Sequence, residues 1–367
     1  IYHVILREIP GIGKFMETEQ KKGLYKWVFM LALPIVLQNV ISFSVGLADN
    51  LMVGSLGELA LSGVYVANQL QNMLQMLVMG LSAALTILTT QYWGKRDIER
   101  IKNIIGIALK FSIGAGFLLL IATLFFPSQI LRFFSDDFDV IAEGLKYLRI
   151  IRFTYIFFCI TQVLIASMRS VEKVKIGMNL SIVTFFVNVF LNWVFIFGNL
   201  GAPALGVQGA AIATLISRIL ETVIMVCYIR FVDSNLKIKF KELVKSDFSL
   251  VKDFFKFGLP VILGDIFWGI NLTVQGAIIG RLGSTALATV SISNTVFSIV
   301  SVAAYGTAGA TSVIIGKTVG AGEYEKVKYY AKKLQILFIF IGIFSGALLF
   351  IIKDYILLLY NISEDTV

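Results

Sequence analysis

The stretch Leu33–Gly57, LPIVLQNVISFSVGLADNLMVGSLG, decides the fold, because it returns 226 residues later as Leu259–Gly283, LPVILGDIFWGINLTVQGAIIGRLG. Extended without a gap, Leu33–Lys102 pairs with Leu259–Lys328 and fifteen of seventy positions are identical, among them Leu33, Pro34, Gly54, Gly57, Asn68, Gly80, Gly94 and Lys102. Chance would supply about five or six at this composition, so the chain carries a duplicated unit.

That unit belongs in a membrane. Hydrophobic residues make up 57% of the chain and charged residues 15%, with a mean hydropathy of +0.84, whereas a soluble domain carries about 25% charged residues. Apolar runs long enough to cross ~30 Å of hydrocarbon fall at about Trp27–Met52, Leu59–Tyr92, Ile101–Phe126, Tyr147–Met168, Ile176–Phe197, Leu205–Ile229, Phe254–Ile279, Thr285–Gly316 and Leu334–Ile352. The second and eighth are unusually long, which predicts tilted or broken helices with Gly80 and Gly306 as matching weak points. Six spans separate each residue from its copy, so the copies insert with the same orientation. The predicted fold class is therefore an all-α integral membrane protein of two six-helix lobes related by a parallel internal repeat. Nine of about 12 spans are present, which reads as truncation at the C-terminus. Residues 1–231 form the first lobe, 232–252 a polar inter-lobe linker and 253–367 a partial second lobe.

Positive charge in short loops stays on the cytoplasmic side. One set of loops carries 24 Lys and Arg and the alternate set four, Arg132, Lys146, Arg281 and Lys353. The N-terminus is thus expected in the cytoplasm of a cell whose cytoplasmic membrane holds the protein. The net charge of +9 is a topology signal spread over five loops rather than a nucleic-acid footprint. A single histidine, His3, and two cysteines inside apolar spans, Cys159 and Cys227, supply neither a metal cluster nor a disulfide framework. No nucleophile and base set for an intramembrane enzyme is visible, and no cofactor is expected. The Gly309–Lys317 stretch spaces its glycines too widely for a phosphate loop.

The run at 33–57, the motif QYWGKRD at 91–97, NVFLNWVFIFG at 188–198 followed by APALGVQGAAIATLISR at 202–218, and VIIGKTVGAGEYEKVKYYAKK at 313–333 together resemble the multidrug and toxic compound extrusion (MATE) family from about Lys26 to Lys333. The resemblance implies two six-helix lobes around a cleft, export of organic cations or lipophilic drugs coupled to H⁺ or Na⁺, and alternating access by rocking of the lobes; a monomer is expected. A different class, a lipid-linked oligosaccharide flippase on a related fold, would be expected to turn arginines toward the cleft.

Ionisable groups in hydrocarbon cost several kcal/mol unless paired or hydrated, so mechanism is sought at the polar residues of the spans. At 1.5 Å per residue, Asp49, Asn188, Asn192 and Thr214 lie ~9–15 Å below the outer loops, on three helices of one lobe. A carboxylate, two amide oxygens and a hydroxyl suit a proton on Asp49 or a Na⁺ at Asp49. In the family the aspartate of the first span and the polar pair of the fifth belong to the cation or proton site. The second of that pair is often a carboxylate; Asn192 here leaves Asp49 as the principal titrating group. The plain alternative is that these side chains only tie helices together. Asp265 resembles the acidic residue many members carry on the seventh span. Its copy is Asn39, and the copy of Asp49 is Gln275. Gln38, Asn39, Asn68, Gln69, Asn72, Gln275 and Asn294 are further candidates for lining the cleft with Asp265.

Overall fold

The computed structural model describes residues 12–238, 242–243, 247–280 and 284–359. Its helices are α1 (Ile12–Gly54), α2 (Glu58–Gly94), α3 (Ile98–Phe125), the short α4 (Pro127–Arg132), α5 (Phe138–Ile151), α6 (Thr154–Ser170), α7 (Lys175–Phe197), α8 (Val207–Cys227, prolonged by a π turn at Tyr228–Val232), α9 (Phe248–Gly280), α10 (Ser284–Gly320) and α11 (Tyr324–Leu359). Among the described residues six helices are long and apolar enough to cross a membrane, α1 from Gly23, α2, α3, α7, α8 with its π turn and α11. The pair α5 and α6 makes a seventh span with a 57° bend. Helices α9 and α10 run unbroken for 33 and 37 residues over the seventh and eighth predicted spans. The fold is all-α, as the sequence predicts.

Two details differ from expectation. The fourth span is not one rod from Tyr147 to Met168. It turns between α5 and α6, where Arg152 Nη1 donates to the Thr123 carbonyl at 3.3 Å and Thr154 Oγ1 to Ile151 O at 2.6 Å. Nor do Gly80 and Gly306 break their helices. A Cβ on Gly80 would press on Ile262 of α9, and one on Gly306 on Val36 of α1. Residue 262 is the copy of 36, so both glycines do the same thing: they let α2 and α10 approach the first helix of the opposite repeat. Small residues at such crossings are how helices gain dispersion contact where no hydrophobic drive exists between them.

The repeat also survives at the helix ends. After α2, Arg96 N bonds Trp93 O at 3.1 Å and Asp97 N bonds Tyr92 O at 3.0 Å; after α10, Gly322 N bonds Val319 O at 3.0 Å and Glu323 N bonds Thr318 O at 3.2 Å. The four donors and four acceptors correspond one to one under the 226-residue shift. The left-handed residue this C-cap requires is Gly322 in one copy, at φ 76°, and Arg96 in the other, at φ 60°.

One core cluster holds Leu85, Ile101, Ile105, Met168 and Phe254; a second holds Leu131, Leu148, Tyr155 and Ala211. A third joins Leu24 and Ile35 of α1 to Ala310 and Ile314 of α10 and Leu334 of α11. Between the repeats, Asp233 Oδ2 accepts from Leu236 N at 2.7 Å, and Asp247 opens α9 by accepting from Ser249 N at 2.9 Å. The start of α9 at Phe248 leaves a connection shorter than the polar stretch 232–252.

Candidate cation site and the closed end of the cleft

The seam between α1 and α7 places a carboxylate against two amides. Asn188 and Asn192, four residues apart on α7, share one face and are 3% and 0% exposed. Asn192 Nδ2 donates to Asp49 Oδ1 at 2.5 Å and to Asn188 Oδ1 at 3.2 Å. Its own Oδ1 is buried with no hydrogen-bond partner. A buried orphan acceptor costs about 1–3 kcal/mol, and here it lies one amide from a carboxylate. That combination accepts a cation or a proton donor. Arg218 of α8 and Tyr147 of α5 lie within electrostatic reach of Asp49. Arg218 Nη1 is also tied to Glu221 Oε2 at 2.7 Å, and its guanidinium covers the Phe158 ring at 5.4 Å. Thr214, one turn before Arg218, is partly buried and makes no side-chain hydrogen bond among the described residues. The geometry unites Asp49, Asn188 and Asn192 by hydrogen bonds and leaves Thr214 outside them.

The remaining candidates are spread out. Asp265 on α9 and its copy Asn39 on α1 are partly buried, as are Asn68 and Gln69 on α2, while Asn72 is exposed. Gln275 is exposed and donates to Asn271 Oδ1 at 3.5 Å. Asn294 lies outside the residues whose side chains are described. Gln38 is only 7% exposed; its Oε1 accepts from Arg169 Nη2 at 3.4 Å, and Arg169 Nη1 lies beside Gly309 of α10. Counted in the sequence as a loop charge, Arg169 in fact reaches from the end of α6 into the seam between the repeats.

At the end of the helices rich in lysine and arginine the two repeats are locked together. Glu172, in the α6–α7 turn, accepts from Trp27 Nε1 of α1 at 3.0 Å and from Trp93 Nε1 of α2 at 3.2 Å. Lys317 of α10 pairs with it at 2.7 Å, with its ammonium 5.1 Å from the Trp27 ring centroid. Glu172 has φ 65°; a left-handed position favours glycine, and an L side chain there costs about 1–2 kcal/mol. The backbone around this cluster is equally close. A Cβ on Gly94 would meet the Lys317 carbonyl, and one on Gly320 the Gln91 carbonyl, where 317 and 320 are the copies of 91 and 94. Sequence reasoning passed over this latch, because Lys317 counted only as a loop charge and Glu172 was not singled out; the available signal was that Lys317 falls inside VIIGKTVG, before the helix stops.

A two-repeat helical membrane protein with a polar cluster in one half and a closed inter-repeat seam at one end is built as a transporter rather than an enzyme. The sequence pattern of the MatE family matches residues 34–194 and 260–367, and the chain belongs to that family. It is 25% identical over 347 residues to the probable multidrug resistance protein NorM of Thermotoga maritima, covering 95% of this chain and 74% of that one. To the probable multidrug resistance protein YoeA of Bacillus subtilis it is 26% identical over 357 residues, covering 95% and 76%. Among solved structures, one described as the outward-facing conformation of a multidrug resistance MATE family transporter of the MOP superfamily aligns with a TM-score of 0.82 at 21% identity, covering 92% of this chain and 74% of that one. A MOP superfamily transporter from Pyrococcus furiosus, whose description ascribes a reverse polarity to its binding pocket, aligns with a TM-score of 0.83 at 21% identity, covering 94% and 75%. At that identity the structural likeness concerns the fold.

Proposed function

We propose that the chain is a cation-coupled exporter that carries organic cations or lipophilic drugs out across the cytoplasmic membrane by alternating access, in exchange for inward H⁺ or Na⁺. The observation that carries this reading is the Asp49–Asn192–Asn188 cluster with its orphan Asn192 oxygen. Unprotonated, Asp49 accepts from Asn192 Nδ2; protonated, it donates to the Asn192 oxygen once that amide turns over, because an amide offers a donor and an acceptor at opposite corners. A Na⁺ would use the same two oxygens. Either ligand changes the bonding between α1 and α7 inside the first lobe. The relatives named as multidrug resistance proteins support the substrate class.

The lysine-rich loops support a cytoplasmic N-terminus; on that reading the Glu172 latch lies on the cytoplasmic side and the arrangement described is closed there. Residues 1–231 and 253–367 act as the moving halves, joined by 232–252, in a monomer. Asp265, Asn39, Asn68, Gln69, Asn72 and Gln275 line the cleft, with Gln38 at its floor. Arg169 is the one feature that favours the flippase alternative, since a guanidinium at the inter-repeat seam suits an anionic headgroup. Reconstitution into liposomes separates the two. Efflux of a fluorescent organic cation should run under an imposed H⁺ or Na⁺ gradient, applied separately, and stop without one. Insensitivity to both gradients would overturn the exporter reading.

A further inference from the structure

A cavity lies between α3, α6, α8 and the segment joining the repeats. It measures about 350 Å³. Its walls are hydrocarbon from Leu109, Ile113, Ile160, Leu164, Val226 and Ile229. Among the described residues that line it, two are charged, Lys110 and Arg230, and both are cations. Both are exposed, so the cavity is open at their level. Arg230 ends the π turn of α8 with its guanidinium 5.8 Å from the Phe231 ring centroid, and it forms no ion pair among the described residues.

We propose that this cavity binds an anionic phospholipid from the leaflet at the basic end of the helices, with the headgroup phosphate between Lys110 and Arg230 and an acyl chain among the apolar walls. Charge complementarity selects the occupant. A cationic drug would face two positive groups, and a free phosphate would leave the apolar depth unfilled. An anionic lipid satisfies both parts and is supplied by the surrounding bilayer; basic pockets between spans are the general form of such sites. The site also has a consequence for movement. Ile238 and Leu243 of the connecting segment form one wall, and Lys102 of α3 holds that segment through Glu242 at 2.9 Å. A bound lipid therefore braces the connection between the halves. None of this depends on which ion drives transport.

The test is a binding titration with the purified chain in mild non-ionic detergent, using phosphatidylglycerol and phosphatidylcholine that carry the same acyl-chain fluorophore. Phosphatidylglycerol should bind saturably and more tightly. The double variant Lys110→Gln/Arg230→Gln should lose about 30-fold of that affinity, the loss expected for two basic groups near a phosphate, while phosphatidylcholine is unchanged. Should the double variant show a lowered unfolding temperature, Arg230→Gln alone, at an exposed helix end, should still lose about fivefold. Ile113→Trp, which fills the cavity, should weaken both lipids. Equal affinity for the two lipids in the unaltered chain would overturn the proposal. So would displacement of phosphatidylglycerol by millimolar inorganic phosphate, or full binding by Ile113→Trp.

Discussion

The Asp49 environment is a chain of single dependencies. Asn192 serves Asp49 and Asn188 through one amide nitrogen, so removing Asn192 frees both partners, whereas removing Asn188 frees only one bond. Asn192→Ala should therefore abolish the ion dependence of transport, and Asn188→Ala should reduce it severalfold, as measured by initial efflux rates across a series of ion gradients. Equal effects of the two changes would mean that Asn192 is not the hub. The three members of this cluster were legible in the sequence, because helical period and depth place 49, 188 and 192 at one level on neighbouring spans. Thr214 shows the limit of that reasoning. Depth says how far along a helix a residue lies, but its azimuth depends on how α8 rolls against α1, which packing determines and spacing does not. Gln38 and Arg169 illustrate the same point, since a long side chain at a helix end can reach a level several residues away from its own.

The helices that matter most for opening are α2 and α10, which cross at their basic ends. Their contact is backbone to backbone at Gly94 and Gly320, so a methyl group there has nowhere to go. Gly320→Ala should destabilise the closed arrangement by about 1–3 kcal/mol, the range for overpacking a tight contact, and should raise the labelling rate of a cysteine placed at Thr90; an unchanged rate would show that the crossing tolerates a Cβ. The Glu172 latch adds a polar layer below it. Replacing Glu172 by Gln keeps the shape and removes the charge that Lys317, Trp27 and Trp93 share. With charged hydrogen bonds worth about 1.5–3 kcal/mol when buried, and this pair only partly so, a shift of about tenfold toward the form open at this end is expected from inter-repeat distance distributions by electron spin resonance. No shift would reduce the latch to an incidental surface pair. The existence of these helices, their order and their pairing by repeat were readable from hydropathy and from the 226-residue shift. The bend between α5 and α6 was not, because Tyr147–Met168 reads as one apolar run and the break uses neither proline nor glycine.

At the level of the whole molecule, the repeat predicts a pseudo-two-fold arrangement and the contacts obey it: Gly80 meets Ile262 as Gly306 meets Val36, and Gly94 meets Lys317 as Gly320 meets Gln91. The exceptions to the symmetry are the polar residues. Asp49 faces Gln275 in the correspondence and Asn39 faces Asp265, so the two halves share a frame and differ in charge placement. The orientation in the membrane rests on the split of 24 basic residues against four. A cysteine at Lys237 in intact cells should resist an impermeant reagent while one at Ser135 reacts, and the opposite pattern would invert the orientation. The central claim is that ion exchange at Asp49 drives the movement of substrate. Its most direct measurement is gradient-driven efflux by Asp49→Asn beside the unaltered protein, in liposomes of matched protein content, together with substrate binding to both. The expected result is that binding persists, because the amide preserves size and contact with Asn192, while gradient-driven efflux falls to the protein-free rate. Full gradient-driven efflux by Asp49→Asn would contradict the account and move the coupling charge to Asp265.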